Sequence, residues 1–162
     1  MIRLLVTGGT FDKDYDEING TLSFKQTHVE EMLRLGRSSV PLTVETVMLI
    51  DSLQMTDQDR LVVARRCQDC PESAIVITHG TDTMVETAAV LARNVPTKTI
   101  VLTGAMVPYA FGSSDGLFNL GSALSFVQVL PPGVYIAMNG THFRWDRVRK
   151  NRERGTFERI GE

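Results

Sequence analysis

The sequence has few of the features that mark secreted, membrane-spanning or nucleic-acid-binding proteins. It contains only 2 cysteines, which are too few for a disulfide framework. No apolar stretch reaches the length of a membrane-spanning helix, and the first residues lack the basic and apolar segments of a secretory signal. The 19 acidic and 17 basic residues nearly balance, so the charge gives no reason to expect nucleic acid as a partner. These absences predict a cytoplasmic protein that binds neither membranes nor nucleic acids.

Several short apolar runs, rich in Ile, Leu and Val, each lead into a polar segment that contains glycine. They are 2–6 before Thr7-Gly8-Gly9-Thr10, 74–77 before Thr78-His79-Gly80-Thr81-Asp82, 99–102 before Thr103-Gly104-Ala105, and 134–138 before Asn139-Gly140-Thr141. Such runs are typical of parallel strands that are buried on both faces. Ligands bind beyond the carboxyl ends of such strands, so we expect a site there whose chemistry relies on hydroxyl groups.

Helical patterns alternate with these runs and with a further strand pattern at 44–50. The helices are expected at 27–35, 56–67, from 82 or 83 to about 93, and 117–129. This alternation predicts an α/β fold, a three-layer α/β/α sandwich around a mainly parallel sheet of the Rossmann or flavodoxin kind. With 162 residues, of which 43% are hydrophobic, we expect residues 1–162 to form a single domain.

The dipeptide Asn19-Gly20 lies between two strand-like segments and is typical of a β-hairpin turn. A type I′ turn at this point places Tyr15 opposite Phe24. Because the hairpin directly follows the end of the first strand, we expect it to form a lid over that edge of the sheet. The next helix is expected to start at Thr27 as the N-cap residue, with Glu30 three residues further on.

Each candidate site also has a purely structural interpretation. The segment Thr7–Thr10 could be a tight turn, and Asp82 or Thr83 could simply cap the helix that follows. Ser52 could be a turn residue, and Lys150 could be one solvated charge in a basic tail. A functional site is favoured because so many hydroxyl and carboxylate groups follow neighbouring strands.

Other motifs suggest different chemistries. Gly112-Ser113-Ser114-Asp115-Gly116 matches the nucleophile elbow of serine hydrolases, which requires a strand before the serine. The preceding segment contains Pro108 and makes a poor central strand, so the two serines and the aspartate more simply cap the next helix. Cys67 and Cys70 lie at a helix C-terminus, where the helix dipole does not favour a reactive thiolate. The 3 histidines lack the spacing of metal ligands, and no metal site is expected.

The polar segments together resemble those of the bacterial-type L-asparaginase/glutaminase amidohydrolases over nearly the whole chain. In chain order the motifs are Thr7-Gly8-Gly9-Thr10, Asp51-Ser52 before Met55, His79-Gly80-Thr81-Asp82-Thr83-Met84 with Glu86-Thr87-Ala88, Thr103-Gly104-Ala105-Met106 with Pro108, Ser114-Asp115-Gly116 with Phe118-Asn119-Leu120, and Met138-Asn139. The first and third motifs, in this order and at this spacing, are highly specific as a pair.

The resemblance implies an enzyme that hydrolyses L-asparagine to L-aspartate and ammonia without a metal or cofactor. Thr10 would attack the side-chain amide and form an acyl-enzyme, and Tyr15 would help to activate it. The resemblance also implies a second constellation of Thr81, Asp82 and Lys150. Ser52 and Asp82 would bind the α-carboxylate and α-amino groups of the substrate. The loops of Gly9 and Gly80 would donate hydrogen bonds to the oxyanion, and the Ala105 carbonyl would accept one from the amide.

The resemblance also bears on assembly. Full-length members of the family continue into a second, smaller α/β domain that completes the active site of a neighbouring subunit, and we expect that domain to be absent here. Such an absence implies a more open pocket, a weaker hold on the substrate α-amino group, or completion of the site by a differently arranged homo-oligomer, and we expect a homodimer or a larger homo-oligomer. Leu53 stands where many members carry a polar residue that contacts the substrate. Two alternative functions remain, namely hydrolysis of glutamine or another small amide, and a catalytically idle domain that binds an amino acid or a partner.

Overall fold

A computed structural model describes residues 1–161; Glu162, the last residue of the predicted domain, lies outside the described residues. The strands are β1 Ile2–Gly8, β2 Lys13–Asp16, β3 Thr21–Phe24, β4 Leu42–Ile50, β5 Ala74–Thr78, β6 Thr99–Thr103, β7 Gly133–Met138, β8 Thr141–Arg144, β9 Val148–Asn151 and β10 Thr156–Arg159. The helices are α1 Val29–Leu35, α2 Asp57–Asp69, α3 Met84–Asn94 and α4 Gly116–Phe126, with short 3-10 turns at Thr10–Asp12 and Tyr109–Phe111.

The central sheet has six strands in the order β4-β1-β5-β6-β7-β8. The first five of these strands run parallel, and β8 runs antiparallel to β7. This arrangement confirms the predicted α/β fold with a mainly parallel sheet. Because β4 and β5 flank β1, the carboxyl ends of all three strands meet at one edge of the sheet.

Side chains of β1 pack alternately on the two faces of the sheet. Leu5 belongs to a buried cluster that includes Val63 of α2 and Leu91 of α3. Leu4, on the opposite face, belongs to a second cluster that includes Met32 of α1 and Leu120 of α4. Helices therefore cover both faces, as the three-layer prediction requires, and this explains why the strand sequences are apolar at nearly every position.

Helix α1 begins at Val29 rather than at the predicted Thr27, and Thr27 is not its N-cap residue. The backbone N–H of His28 donates instead to Asp12 Oδ1 at 2.8 Å, and the Thr27 hydroxyl donates to the same oxygen at 3.0 Å. The Thr27 hydroxyl also accepts a hydrogen bond of 3.2 Å from the Val29 N–H, so Asp12 fixes the segment before α1 while Thr27 still binds the first N–H of the helix. By contrast, the predicted start of α2 is confirmed, with Thr56 as the N-cap residue in a capping box.

The predicted hairpin exists as β2 and β3, but its register differs from the prediction. Tyr15 pairs with Leu22 rather than with Phe24. The Asp16 side chain accepts hydrogen bonds from the backbone N–H groups two and three residues further on. This Asx-type turn closes a longer loop over residues 17–20 than the two-residue turn expected from Asn19-Gly20.

The basic tail forms a second antiparallel hairpin, in which Lys150 of β9 pairs with Phe157 of β10. Phe157 is buried and belongs to the same apolar cluster as the side chains of α2 and α3. This packing fixes the tail against the domain and gives Lys150 a defined position. Among the described residues, no helix is both long and apolar enough to cross a membrane.

Candidate functional site

Three loops at the carboxyl edge of the sheet approach each other so closely that they require glycine. A methyl group on Gly9 would lie 2.3 Å from the backbone nitrogen of Gly80, and one on Gly80 would lie 2.5 Å from Ser52 Oγ. Gly9 also has a φ angle of 79°, a conformation that favours glycine. The loops after β1, β4 and β5 are thus in direct contact, as their predicted position at one edge requires.

Lys150 joins two neighbouring residues of the loop after β5. Its Nζ atom lies 2.8 Å from Thr81 Oγ1 and 2.8 Å from Asp82 Oδ1. The Lys150 side chain is only 11% exposed, and Thr81 is 5% exposed. Lys150 is therefore not a solvated surface charge, and Asp82 does not cap α3, whose N-cap residue is Thr83. The structure brings these three predicted residues together into one partly buried network.

Thr10 follows Gly9 directly and lies half-buried in the first 3-10 turn. In the part of the chain that the structure describes, its hydroxyl group makes no hydrogen bond. Tyr15 lies on the hairpin and is 53% exposed. No contact brings its hydroxyl group to Thr10 among residues 1–161, so its activating role stays a prediction.

The hairpin is anchored to the same edge of the sheet. The Lys13 ammonium group contacts the Asp51 carboxylate at the end of β4 in a largely buried ion pair. Ser52 follows and is 2% exposed, and its carbonyl accepts a hydrogen bond of 2.8 Å from the Thr83 hydroxyl. These contacts hold the base of the expected lid, the Ser52 loop and the start of α3 together.

His79 is a fully buried residue of the site to which sequence reasoning assigned no role. Its Nδ1 atom lies 2.7 Å from the Gly80 carbonyl oxygen, and its Nε2 atom lies 2.8 Å from Thr87 Oγ1. Since a carbonyl can only accept, Nδ1 carries the proton and Nε2 accepts from Thr87. Burial lowers the His79 pKa to about 4. The ring is therefore neutral near pH 7, and it holds the Gly80 peptide in place.

The loop after β6 packs onto the same group of residues. A methyl group on Gly104 would lie 2.4 Å from the His79 carbonyl oxygen. Ala105 is 1% exposed, and the Met106 sulfur lies 3.7 Å from Thr81 Oγ1. The predicted acceptor Ala105 thus lies next to the Thr81–Lys150–Asp82 network.

The serine-hydrolase alternative lacks its structural context. A 3-10 turn, not a strand, precedes the Ser113-Ser114 pair, and the Ser114 hydroxyl donates to the Val107 carbonyl at 2.5 Å. Asp115 is the N-cap residue of α4, but its side chain does not cap that helix; the expectation that it does is wrong, whereas the Ser114 hydroxyl accepts a hydrogen bond of 2.9 Å from the Gly116 N–H at the start of α4. Cys67 is an inert thiol, since burial raises its pKa to about 12.

Comparisons with known proteins agree with this arrangement. A family model described as Asparaginase, N-terminal, matches residues 1–160. The chain is 30% identical over 157 residues to an L-asparaginase of Thermococcus kodakarensis, covering 92% of this chain and 48% of the relative. It is 34% identical over 150 residues to L-asparaginase 2 of Escherichia coli, covering 86% of this chain and 43% of the relative. The chain thus spans about half the length of these relatives.

Solved structures show the same similarity. The thermostable L-asparaginase from Thermococcus kodakarensis superposes with a TM-score of 0.85 at 29% identity, over 98% of this chain and 51% of that one. A probable cytoplasmic L-asparaginase from Campylobacter jejuni superposes with a TM-score of 0.79 at 31% identity, over 92% of this chain and 49% of that one. Since the family model matches residues 1–160, and since a relative is 30% identical over 92% of the chain, this protein belongs to the asparaginase family and corresponds to its amino-terminal domain.

Proposed function

We propose that the protein is an L-asparaginase that hydrolyses L-asparagine to L-aspartate and ammonia. The observation that carries this proposal is the buried Lys150 amine, 2.8 Å from the Thr81 hydroxyl. Thr81 follows Gly80, whose backbone touches Gly9, the residue before Thr10. Two hydroxyl groups and an amine at one sheet edge suit acyl transfer from an amide. Binding alone would not need an amine buried against a hydroxyl group.

In the proposed reaction, the Thr10 hydroxyl oxygen attacks the side-chain carbonyl carbon of asparagine. A carbon–oxygen bond forms, the carbon–nitrogen bond breaks, and the proton of Thr10 passes by way of a base to the leaving nitrogen, which departs as ammonia. Water then hydrolyses the Thr10 ester and releases aspartate. The candidate bases are Tyr15 and Lys150, because a threonine hydroxyl is a weak nucleophile without a neighbouring base.

The surrounding groups are assigned to binding. Ser52 and Asp82 would hold the substrate α-carboxylate and α-amino groups, and the Asp82 carboxylate complements an amine in charge. The backbone N–H groups of the Gly9 and Gly80 loops would stabilise the negative oxygen of the tetrahedral intermediate. The Ala105 carbonyl would accept a hydrogen bond from the amide nitrogen.

The proposal is tested by ammonia release from the purified protein offered L-asparagine and L-glutamine separately. We expect turnover of asparagine to exceed turnover of glutamine. The reverse preference would favour the glutaminase alternative. Release from neither substrate, combined with binding detected by calorimetry, would identify an idle amino-acid-binding domain instead.

We also propose that the protein forms a homodimer or a larger homo-oligomer. Residues 116–133, which include α4, contain no charged residue, and Phe118 and Val129 are 64% and 76% exposed. Exposed apolar surface of this kind commonly marks contact with another protein surface. Light scattering should give at least twice the chain mass of 18.0 kDa. A fully active monomer would contradict the idea that a neighbouring copy completes the site.

The cytoplasmic location also stays a proposal. Cys67 and Cys70 are free thiols, as is usual in a reducing compartment. The names of similar proteins point to both compartments. The Campylobacter jejuni protein is called a probable cytoplasmic L-asparaginase, and one from Haemophilus influenzae is called a probable periplasmic L-asparaginase. Fractionation of the source cells decides between the two compartments.

A further inference from the structure

Asp115 uses its carboxylate to bind the loop that carries Ala105. Both carboxylate oxygens lie 3.0 Å from the Met106 backbone nitrogen, and Oδ1 also lies 3.0 Å from the Val107 nitrogen. Two consecutive N–H groups thus donate to one carboxylate, an arrangement that holds an anion well. Asp115 makes these contacts although it occupies the N-cap position of α4, where its side chain makes no capping bond.

These contacts determine which way the Ala105 carbonyl points. No peptide bond within residues 1–161 is cis, so the peptide that joins Ala105 to Met106 is trans. In a trans peptide the carbonyl and the N–H group point in opposite directions. Because the Met106 N–H donates to Asp115, the Ala105 carbonyl points away from Asp115 and from the start of α4.

The loop after β5 also packs against this segment. A methyl group on Gly104 would lie 3.2 Å from Thr81 Cγ2, and the Met106 sulfur also approaches Thr81. Gly104 and Met106, the residues on either side of Ala105, therefore both lie close to Thr81. The Ala105 carbonyl, which points away from α4, thus belongs to a segment that lies close to Thr81 of the candidate site.

Asn119 holds both Asp115 and the preceding peptide in place. This residue is fully buried, and its side-chain amide donates to Asp115 Oδ2 at 3.0 Å and to the Gly104 carbonyl at 2.9 Å. Its own oxygen accepts a hydrogen bond of 3.1 Å from the Asn139 backbone N–H. The segment 104–106 is therefore fixed at two successive peptides from the α4 side.

The Ala105 carbonyl is itself left without a partner. Ala105 is 1% exposed, and within the described chain its carbonyl oxygen accepts no hydrogen bond. Buried backbone carbonyls are nearly always paired. An oriented acceptor of this kind suits a ligand that carries N–H groups, as a primary amide does and an ester does not.

We propose that Asp115 is a positioning residue that aims the Ala105 carbonyl at the leaving nitrogen of an amide substrate. This inference rests on the proposed function. Asp115 does not touch the substrate; it acts through the Met106 peptide. The contact matters for an amide, whose nitrogen donates to the carbonyl, and does not matter for an ester at the same carbon.

The test compares L-asparagine with the β-methyl ester of L-aspartate in wild-type protein and in Asp115→Asn. The change removes the charge and places an amide N–H where an acceptor is needed. We expect kcat for asparagine to fall by about 10- to 100-fold, the loss produced by a misplaced contact near the reacting atoms. Turnover of the ester should fall by less than about threefold, since it offers no N–H group to the carbonyl.

Ser114→Ala is the matched control. It removes the hydrogen bonds of the Ser114 hydroxyl to the Val107 carbonyl and from the Gly116 N–H but leaves the contacts of the Met106 peptide in place, so both substrates should change by the same small factor. If Asp115→Asn does not fold, Asp115→Ser repeats the test, because serine suits a helix N-cap and is too short to hold Met106.

Equal losses for amide and ester in a folded Asp115 variant would overturn the positioning role while leaving the proposed function intact. Wild-type protein that hydrolyses neither substrate would overturn the proposed function, and this inference with it. A selective loss of amide turnover supports both.

Discussion

Replacing Thr10 with alanine is expected to lower ammonia release from L-asparagine by about 10⁴-fold or more, the order of loss seen when a covalent nucleophile is removed. Without the hydroxyl group no acyl-enzyme can form at this position. The network of Thr81 and Lys150 then has no nucleophile to activate. The measurement is kcat from continuous ammonia detection on purified Thr10→Ala and wild-type protein.

Thr10→Ser is the control for this experiment, because it keeps the hydroxyl group and removes only a methyl group. It should retain measurable activity. Urea unfolding of all three proteins should agree within about 1 kcal/mol, since Thr10 is half-buried and such changes are usually mild. A folded Thr10→Ala protein that keeps activity within tenfold of wild type would assign the nucleophile to another residue.

The free energy of unfolding is expected to fall as the pH is lowered from about 7 to 4, because His79 is buried in its neutral form. Its pKa is lowered from 6.5 to about 4 by burial, so the unfolded chain binds a proton at a pH where the folded chain does not. The stabilisation is complete above pH 6.5 and is lost progressively down to pH 4. The size of this loss is about 3 kcal/mol, at about 1.4 kcal/mol per pH unit.

Other groups also titrate in this range. The Asp12 carboxyl has the opposite effect on the free energy of unfolding, because burial raises its pKa and the folded chain then binds the proton more readily than the unfolded chain does. The comparison is therefore with His79→Asn, whose side-chain amide can still donate to the Gly80 carbonyl but does not titrate. Urea unfolding at several pH values should show wild-type protein losing stability relative to this variant as the pH falls. Parallel curves for the two proteins would mean that His79 does not control this loss.

Much of the fold could be predicted because the signals are local. The strands β1, β5, β6 and β7 are short apolar runs, and burial on both faces of the sheet dictates that composition. The capping box of α2 involves residues only three apart. In these cases the residues that produce the structure are neighbours in the sequence.

Predictions failed where a side chain from elsewhere intervened. Asp12, 16 residues before His28, binds the Thr27 hydroxyl and the His28 N–H, so Thr27 binds the Val29 N–H from one position outside the N-cap that the local pattern predicted. The hairpin register is set by the side chain of Asp16, which competes with the turn preferred by Asn19-Gly20. Propensities describe the conformational preferences of the local backbone. Hydrogen bonds from the backbone to a single well-placed carboxylate override those preferences.

Part of the candidate site could also be predicted. The polar ends of the strands were expected to meet, and they do, because parallel strands place their carboxyl ends at one edge. Lys150 was singled out by resemblance alone, since nothing in its surroundings distinguishes it from its basic neighbours. His79 and Asn119 went unassigned, although a polar residue at an apolar position of a helix, such as Asn119, is a signal that could have been used.

The order of the elements, the class of the fold and the position of the polar segments at strand ends are all properties of the amino-acid sequence, because apolar periodicity and turn residues act over a few neighbouring positions. Which polar groups touch depends on the order of strands in the sheet and on how the tail packs. Lys150 reaches Thr81 across 69 residues of sequence, and Asp115 reaches back to Met106 from the start of a different helix. Contacts between distant segments arise only when the core closes, and the candidate chemistry of this protein depends on them.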